Sequence, residues 1–370
     1  MSKNYKFKIG KTKIGGESPC FIVAEIGINY DGDFNQALKL IDVAAEAGCN
    51  AVKFQLFRAK RMYTEKAGKY QIATGEKKDI IQIVKEAELP HNWIPKLKKY
   101  ANRKKLEFFS SVCDEISVNV LEKYKVDAFK LTSYAITHIP LLRHVARKKK
   151  PIIFSSGIAK LSEVAEAIEL FEAEDNSQIA LMHCIGKYPA PLNSLNLNVL
   201  KTFQLAFPDI VIGYSDHSSD PIKAPRAAVA LGARIIEKHI TLDRNLPGPD
   251  HSFAVNPKEL SLMVKAIRET EKQVKSKKKI KLDKKMLGTS RRETYPVEEY
   301  VRNFAYRSVF AIKDIKKGEK FSRRNVAVLR PGEKEKGLKP KYFELLIKGF
   351  RATNKISRGR CVQWKDILTS

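Results

Sequence analysis

Residues 235–243 read IIEKHITLD. Ile235, Ile236 and Ile240 give the segment the β-branched, apolar character of a buried strand. Glu237, Lys238 and His239 interrupt it. Side chains alternate across a strand, so Glu237 and His239 point the same way. A buried face holds a carboxylate beside an imidazole only where something across from it needs them. What that face looks onto decides the fold.

Seven comparable runs precede it: FIVAEIG (21–27), AVKFQLF (51–57), EFFSSV (107–112), AFKLTS (128–133), PIIFSSG (151–157), IALMHC (179–184) and IVIGYSD (210–216). With RIIEKHI (234–240) they make eight. Segments of helical periodicity lie between them. FNQALKLIDVAAEAG (34–48) carries apolar residues at three-four spacing and stops at Gly48. LSEVAEAIELF (161–171) is another, with Ser162 as its expected N-cap, and PIKAPRAAVALGA (221–233) a third. Strands alternating with helices predict a (β/α)8 barrel over roughly 17–285. A doubly wound open sheet is the alternative, weakened because no GxGxxG or P-loop follows the first strand.

A (β/α)8 barrel places its chemistry at the C-terminal ends of its strands. Here those ends read, in order, Glu25; Lys53 and Gln55; Ser110-Ser111; Lys130, Thr132 and Ser133; Ser155-Ser156-Gly157; His183, leading to Tyr188; Ser215-Asp216-His217; Glu237 and His239. Every strand delivers a polar group to one end, which predicts an active site. Alone, either histidine would read as a hydrogen-bonded structural residue. Together His217 and His239, on neighbouring strands with Glu237 and Asp250 close in sequence, suit a divalent cation. Lys53 and Lys130 set two positive charges over the same mouth, and Ser111, Ser133 and Ser215 add hydroxyls: an anion site. PGPDHSFAVNP (247–257) is stiffened by Pro247 and Pro249 and would hold Asp250 just beyond the eighth strand.

Past residue 270 the composition changes. EKQVKSKKKIKLDKK is charged, and LGTSRRETYPVEEYVRNFAYRS reads as an extended linker. The expected division is a barrel over 1–285, a linker over 286–304 and a small, mostly β domain over 305–370. Formal net charge is +28. The basic runs 147–150 and 277–279 lack interleaved aromatics, so nucleic-acid binding is not expected; solvated lysines and anionic substrates account for the charge. Five scattered cysteines predict no disulfide framework. The basic N-terminal segment has no apolar h-region and no run is long enough for a membrane span, so a cytoplasmic protein is expected.

AEIGINYDG, VKFQLF, SSV, FKLTS, SSGIA, HCIGKYPAP, IGYSDHS, EKHITLD and PGPDHSF together resemble the motif series of the sialic acid synthase family. That family includes the N-acetylneuraminate, legionaminate, pseudaminate and spore-coat polysaccharide branches. RSVFAIKDIKKGEKF and VAVLRPG resemble its C-terminal antifreeze-like domain. The resemblance implies a (β/α)8 barrel whose small domain swaps onto a partner in a homodimer. It also implies condensation of phosphoenolpyruvate with an N-acylated mannosamine-type sugar, with Mn or Mg, to a nine-carbon 2-keto acid and phosphate. Glu25, Lys53, Lys130, Glu237 and Asp250 are then the expected catalytic groups. Gln55, Ser111, Ser133, Tyr188, Ser215 and Arg330 would bind substrate, Arg330 reaching in from the partner. His217 and His239 would hold the metal. One departure stands out: Thr132-Ser133-Tyr134-Ala135 replaces the family's GSGE, so Ala135 falls on its carboxylate, which implies altered contacts to the acceptor sugar. Gly186 stands where some members carry Asn. Rival readings are a carbohydrate- or ice-binding protein using the small domain, another metal-dependent aldolase, and a Schiff-base aldolase with Lys130 as nucleophile.

Overall fold

The computed structural model describes residues 5–72 and 75–369; the first four residues of the basic N-terminal segment lie outside them. Eight parallel strands close into a barrel in sequence order. They are β1 Phe21–Gly27, β2 Ala51–Leu56, β3 Glu107–Val112, β4 Phe129–Leu131, β5 Ile152–Ser155, β6 Ile179–His183, β7 Val211–Asp216 and β8 Ile235–His239. The open-sheet alternative is excluded, because β8 pairs with β1 in register from Ile235↔Phe21 to His239↔Glu25. The fourth strand is shorter than its apolar run: Ser133–Ala135 forms a 3₁₀ turn just past its end. Each strand is followed by a helix: α1 Phe34–Glu46, α2 Ile94–Arg103, α3 Glu115–Lys123, α4 Ile139–Ala146, α5 Leu161–Ala173, α6 Val199–Ala206, α7 Lys223–Ala230 and α8 Pro257–Lys275.

Local chemistry sets the helix ends. Asp33 caps α1 by accepting from the Asn35 N–H at 2.7 Å. Asn256 and Glu259 form a capping box on α8, with Pro257 in its first turn. Ser162 does not cap α5; it lies inside the first turn. The N-cap is Lys160, whose N–H donates to Glu163 Oε2 at 2.8 Å.

Strand alternation sorts the barrel interior into layers. Phe21, Val23, Ala51, Phe109, Ala128, Ile153, Ala180, Met182, Val211 and Ile235 form one buried apolar cluster inside the barrel. Phe7, Ile9 and Ile14 of an N-terminal hairpin belong to the same cluster and plug the bottom. Further along the strands, the same inward parity delivers Glu25, Lys53, Ser111, Lys130, Ser155 and Glu237 two residues on, and Ser215 four residues beyond Val211. The outward parity, with Ile22, Phe54, Phe108, Ile236 and Ile240, packs against the helices. Lys238 takes that outward side of β8, where Asp216 Oδ2 neutralises it at 2.6 Å.

The 286–304 segment is not an extended linker. It contains the helix Glu299–Ala305, and Tyr295, Val301, Phe304 and Ala305 are buried. Its anchor is ionic: Arg292 Nη2 and Glu298 Oε2 lie 2.9 Å apart with both side chains fully buried. Glu298 Oε1 also accepts from the Ile158 and Gly186 N–H groups, each at 2.8 Å, on the loops after β5 and β6. An apolar count underrates such a strap because its anchor is a buried ion pair.

The C-terminal domain pairs Ser308–Ala311 with Val326–Leu329, and Phe350–Ala352 with Ile367–Thr369, around a core including Val309, Phe321, Val326 and Val362. It also carries a helix, Phe343–Gly349. It docks on its own barrel. Arg307, fully buried, donates to the carbonyls of Val328 at 3.1 Å and Cys113 at 3.0 Å. Arg330 exchanges backbone hydrogen bonds with the chain after β2, to Met62 O at 2.9 Å and from Thr64 N at 3.1 Å. Gly332, at φ +65°, lies so close to the Ala67 carbonyl that a Cβ would sit 1.9 Å from its oxygen. Pro331-Gly332 is therefore a contact point where only glycine fits.

Candidate active site

The inward-facing polar layer forms the floor of a cavity of about 1270 Å³, counting its open mouth. Glu237 is its hub. Its Oε1 lies 3.2 Å from Lys53 Nζ and accepts from Ser215 Oγ at 2.9 Å, and its Oε2 lies 2.9 Å from Lys130 Nζ. Lys53 Nζ also lies 3.2 Å from Glu25 Oε2, and Gln55 Nε2 donates to Glu25 Oε1 at 2.9 Å. Glu25 is aimed by a bulge between Glu25 and Gly27 on β1, where Gly27 takes φ +58°.

Burial and neighbouring charge separate the two carboxyls. Desolvation raises Glu25 to about 7, against the pull of Lys53. Glu237 is equally desolvated, but Lys130 and Lys53 outweigh burial and hold it well below the usual carboxylate range. The lysines part likewise. Burial disfavours the charge on both; Glu237 and Glu25 more than compensate at Lys53, which is raised. Lys130, with Glu237 as its one carboxylate and Lys53 repelling it, is lowered.

Above this layer, the ring centroids of His217 and His239 are 5.8 Å apart. Tyr188 stacks on His217 at 4.1 Å. His217 Nδ1 lies 2.7 Å from the Ile185 carbonyl oxygen, so a neutral ring donates there and leaves Nε2 as the free lone pair. His239 Nδ1 is buried without a hydrogen-bond partner, and Asp250 Oδ2 stands 3.6 Å from it. Desolvation lowers His217 to about 4 and holds His239 well below the usual imidazole range, which favours the neutral form of both rings. Burial pushes Asp250 up to about 6. Among the described residues, no group of three or more His, Cys, Asp or Glu side chains is gathered to hold a metal ion. The two imidazoles would serve as nitrogen donors to a divalent ion bound here.

Of the residues singled out in the sequence, Glu25, Lys53, Gln55, Lys130, Ser133, Tyr188, Ser215, His217, Glu237, His239, Asp250 and Arg330 all line this cavity. Ser111 does not. It sits in the same layer with its hydroxyl buried and unpartnered. Three strand-end groups face away from the mouth by parity. His183 bonds the Leu195 carbonyl, Ser110 the Phe54 carbonyl, and Asp216 pairs with Lys238.

Arg330 lines the mouth within the one chain. Its guanidinium carbon lies 4.6 Å from the Tyr134 ring centroid and 5.4 Å from that of Tyr63. Neither tyrosine stood out in the sequence; a lone aromatic carries no signal until the fold brings an arginine to it. Ala135 is fully buried in the core outside the barrel, while Ser133 and Tyr134 of the same turn meet the cavity.

The chain matches the NeuB family over residues 40–279 and the SAF domain over residues 306–368. It is 50% identical over 362 residues to the spore coat polysaccharide biosynthesis protein SpsE of Bacillus subtilis, covering 98% of this chain and 97% of that protein. It is 38% identical to the N,N'-diacetyllegionaminic acid synthase of Campylobacter jejuni over 84% of this chain and 90% of that protein. The crystal structure of Bacillus subtilis SpsE superposes with a TM-score of 0.90 at 48% identity, covering 99% of both chains. Among the described residues no helix is long and apolar enough to cross a membrane.

Proposed function

Because the chain belongs to the NeuB family and ends in a SAF domain, we propose that it condenses phosphoenolpyruvate with an N-acylated mannosamine-type sugar, or a related amino or deoxy sugar, to a nine-carbon 2-keto acid and phosphate. The observation that carries this reading is the Lys53–Glu237–Lys130 cluster directly beneath two neutral imidazoles. Two ammonium groups and the Ser133 and Ser215 hydroxyls on the cavity wall suit the anionic phosphoenolpyruvate on the floor. The sugar aldehyde then lies above it, towards His217 and His239. Those residues would hold a divalent ion, Mn or Mg, which when bound supplies Lewis-acid polarisation of the aldehyde.

C3 of phosphoenolpyruvate bonds to the aldehyde carbon, whose oxygen becomes a hydroxyl, while water adds at C2. The C2–O bond to phosphate then breaks and the 2-keto group forms. Glu25, whose carboxyl burial raises towards neutral pH, is suited to pass a proton either way. Glu237 stays anionic and keeps both lysines in place. Arg330, held between Tyr63 and Tyr134, faces the acceptor from above.

The test is phosphate release from phosphoenolpyruvate with Mn across a panel of amino-sugar acceptors. Release with one acceptor, lost on chelation, is expected. Silence from a folded, Mn-loaded protein across the panel would overturn the reading. Trapping of Lys130 by borohydride with pyruvate would point instead to a Schiff-base aldolase.

We also propose that the cytoplasmic enzyme is a homodimer in which one chain's C-terminal domain docks on the other's barrel through the Arg307 and Arg330 contacts drawn here within one chain. Mixing the inactive variants Arg330→Ala and His239→Ala is then expected to restore part of the activity. No recovery, with subunit exchange confirmed, would sink the swap.

A further inference from the structure

Asp216 and Lys238 stand between the residues that serve the site. Asp216 separates Ser215 from His217, and Lys238 separates Glu237 from His239. Alternation turns both outward, into the layer where Ile212, Ile236 and Ile240 pack against the helices. Both side chains are buried there, with Lys238 Nζ 2.6 Å from Asp216 Oδ2. The rest of the pair is engaged as well. Lys238 Nζ donates to the carbonyls of Ser218 and Asp220, the latter at 3.1 Å, so all three of its N–H donors are used. Asp216 Oδ1 accepts from the Ser218 N–H at 2.9 Å and from the Tyr214 hydroxyl at 3.1 Å. The loop leaving β7 is thereby tied to β8 on the outer side of the barrel.

The strand ladder does not make that tie. The β7–β8 register runs to Asp216↔Lys238, which leaves His217 one residue past its end. His239 is still paired, with Glu25 of β1. Two bonds hold His217 to the loop after β6: Nδ1 to the Ile185 carbonyl at 2.7 Å, and its own carbonyl accepting from the Ala190 N–H at 2.9 Å. Neither fixes it to β8. A buried ion pair is also a poor source of stability at an outward strand position, because apolar side chains would fill the same space without desolvating charge. Its geometry suits another use, which is to hold His217 against His239.

We infer, resting on the metal-site reading above, that Asp216 and Lys238 are positioning residues for the divalent ion, setting the separation of the two imidazoles from behind. Neither touches the ion or a substrate.

The experiment measures Mn affinity by paramagnetic resonance on the full chain, with urea unfolding alongside. The double variant Asp216→Leu/Lys238→Met replaces both charges by apolar side chains. It is expected to unfold at a urea midpoint close to that of wild type and to bind Mn on the order of ten- to a hundredfold more weakly. Affinity decides, because it is read on folded protein without urea. A pair that served stability alone would lower the midpoint and leave affinity unchanged. A loss of Mn affinity smaller than about tenfold in the folded double variant overturns the inference. If that variant does not fold, Asp216→Asn decides. It keeps an acceptor for Ser218 and Tyr214 but removes the charge facing Lys238, and is expected to weaken Mn binding by about tenfold. Unchanged affinity in Asp216→Asn, or its failure to fold, overturns the inference too. Mn binding that depends on both histidines but not on the pair sinks this inference alone. Mn binding indifferent to His217→Ala and His239→Ala removes the metal reading, and the inference with it.

Discussion

Alanine in place of His217 or His239 is expected to abolish Mn binding at the mouth and to cut phosphate release by about 10³-fold or more, the several kcal/mol that a Lewis acid contributes to a developing alkoxide. Each ring is neutral and buried and has one free ring nitrogen, His217 by donating its other N–H to Ile185. Mn bound per chain, read by paramagnetic resonance, separates loss of the ion from loss of later chemistry. His183→Ala is the matched control. That ring is buried too, but it points outward from β6 and bonds the Leu195 carbonyl. Its removal should cost stability and leave Mn binding intact. Undiminished Mn affinity in His217→Ala or His239→Ala would remove these residues from the metal site.

Glu237→Ala should be the most destabilising single change on the floor, by about 3–5 kcal/mol, because it leaves buried charge without its counter-charge. Lys130 loses its one carboxylate, and Lys53 keeps only Glu25, which burial has already driven towards the neutral form. Urea unfolding at neutral pH measures this directly. Acid provides a second reading. Glu237's folded pKa is depressed, so its contribution is complete above the unfolded carboxylate value, roughly 4.3, and is lost as pH falls towards the folded value. The stability gap between wild type and Glu237→Ala should therefore close on acidification. Equal stabilities at pH 7 would refute the hub role.

The barrel and most of its floor are legible in the sequence because both rest on a period of two. Once β8 is a strand, Glu237 and His239 must share a face, and the same parity picks out Lys53, Lys130 and Ser215. Within the strands it also turns His183 and Asp216, which a count of polar strand ends includes, towards the helices. Where a chain leaves a strand, parity stops informing. Past β4, a 3₁₀ turn rather than alternation decides that Tyr134, not Ala135, meets the cavity. The strap was illegible for another reason. Its contacts join segments far apart in the chain through aromatic rings and one buried ion pair, and neither leaves a local period.

The strap sets a limit on dissection. Glu298, thirteen residues beyond the expected barrel boundary at 285, supplies the acceptor for two N–H groups on the loops after β5 and β6. Glu163 of α5 is likewise held by Arg302 of the strap helix at 2.9 Å. A chain ending at 285 would be more than lidless: two loops at the catalytic end of its barrel would have unsatisfied backbone donors. A truncation that keeps these contacts is therefore expected to run at least to the end of the strap helix at Ala305.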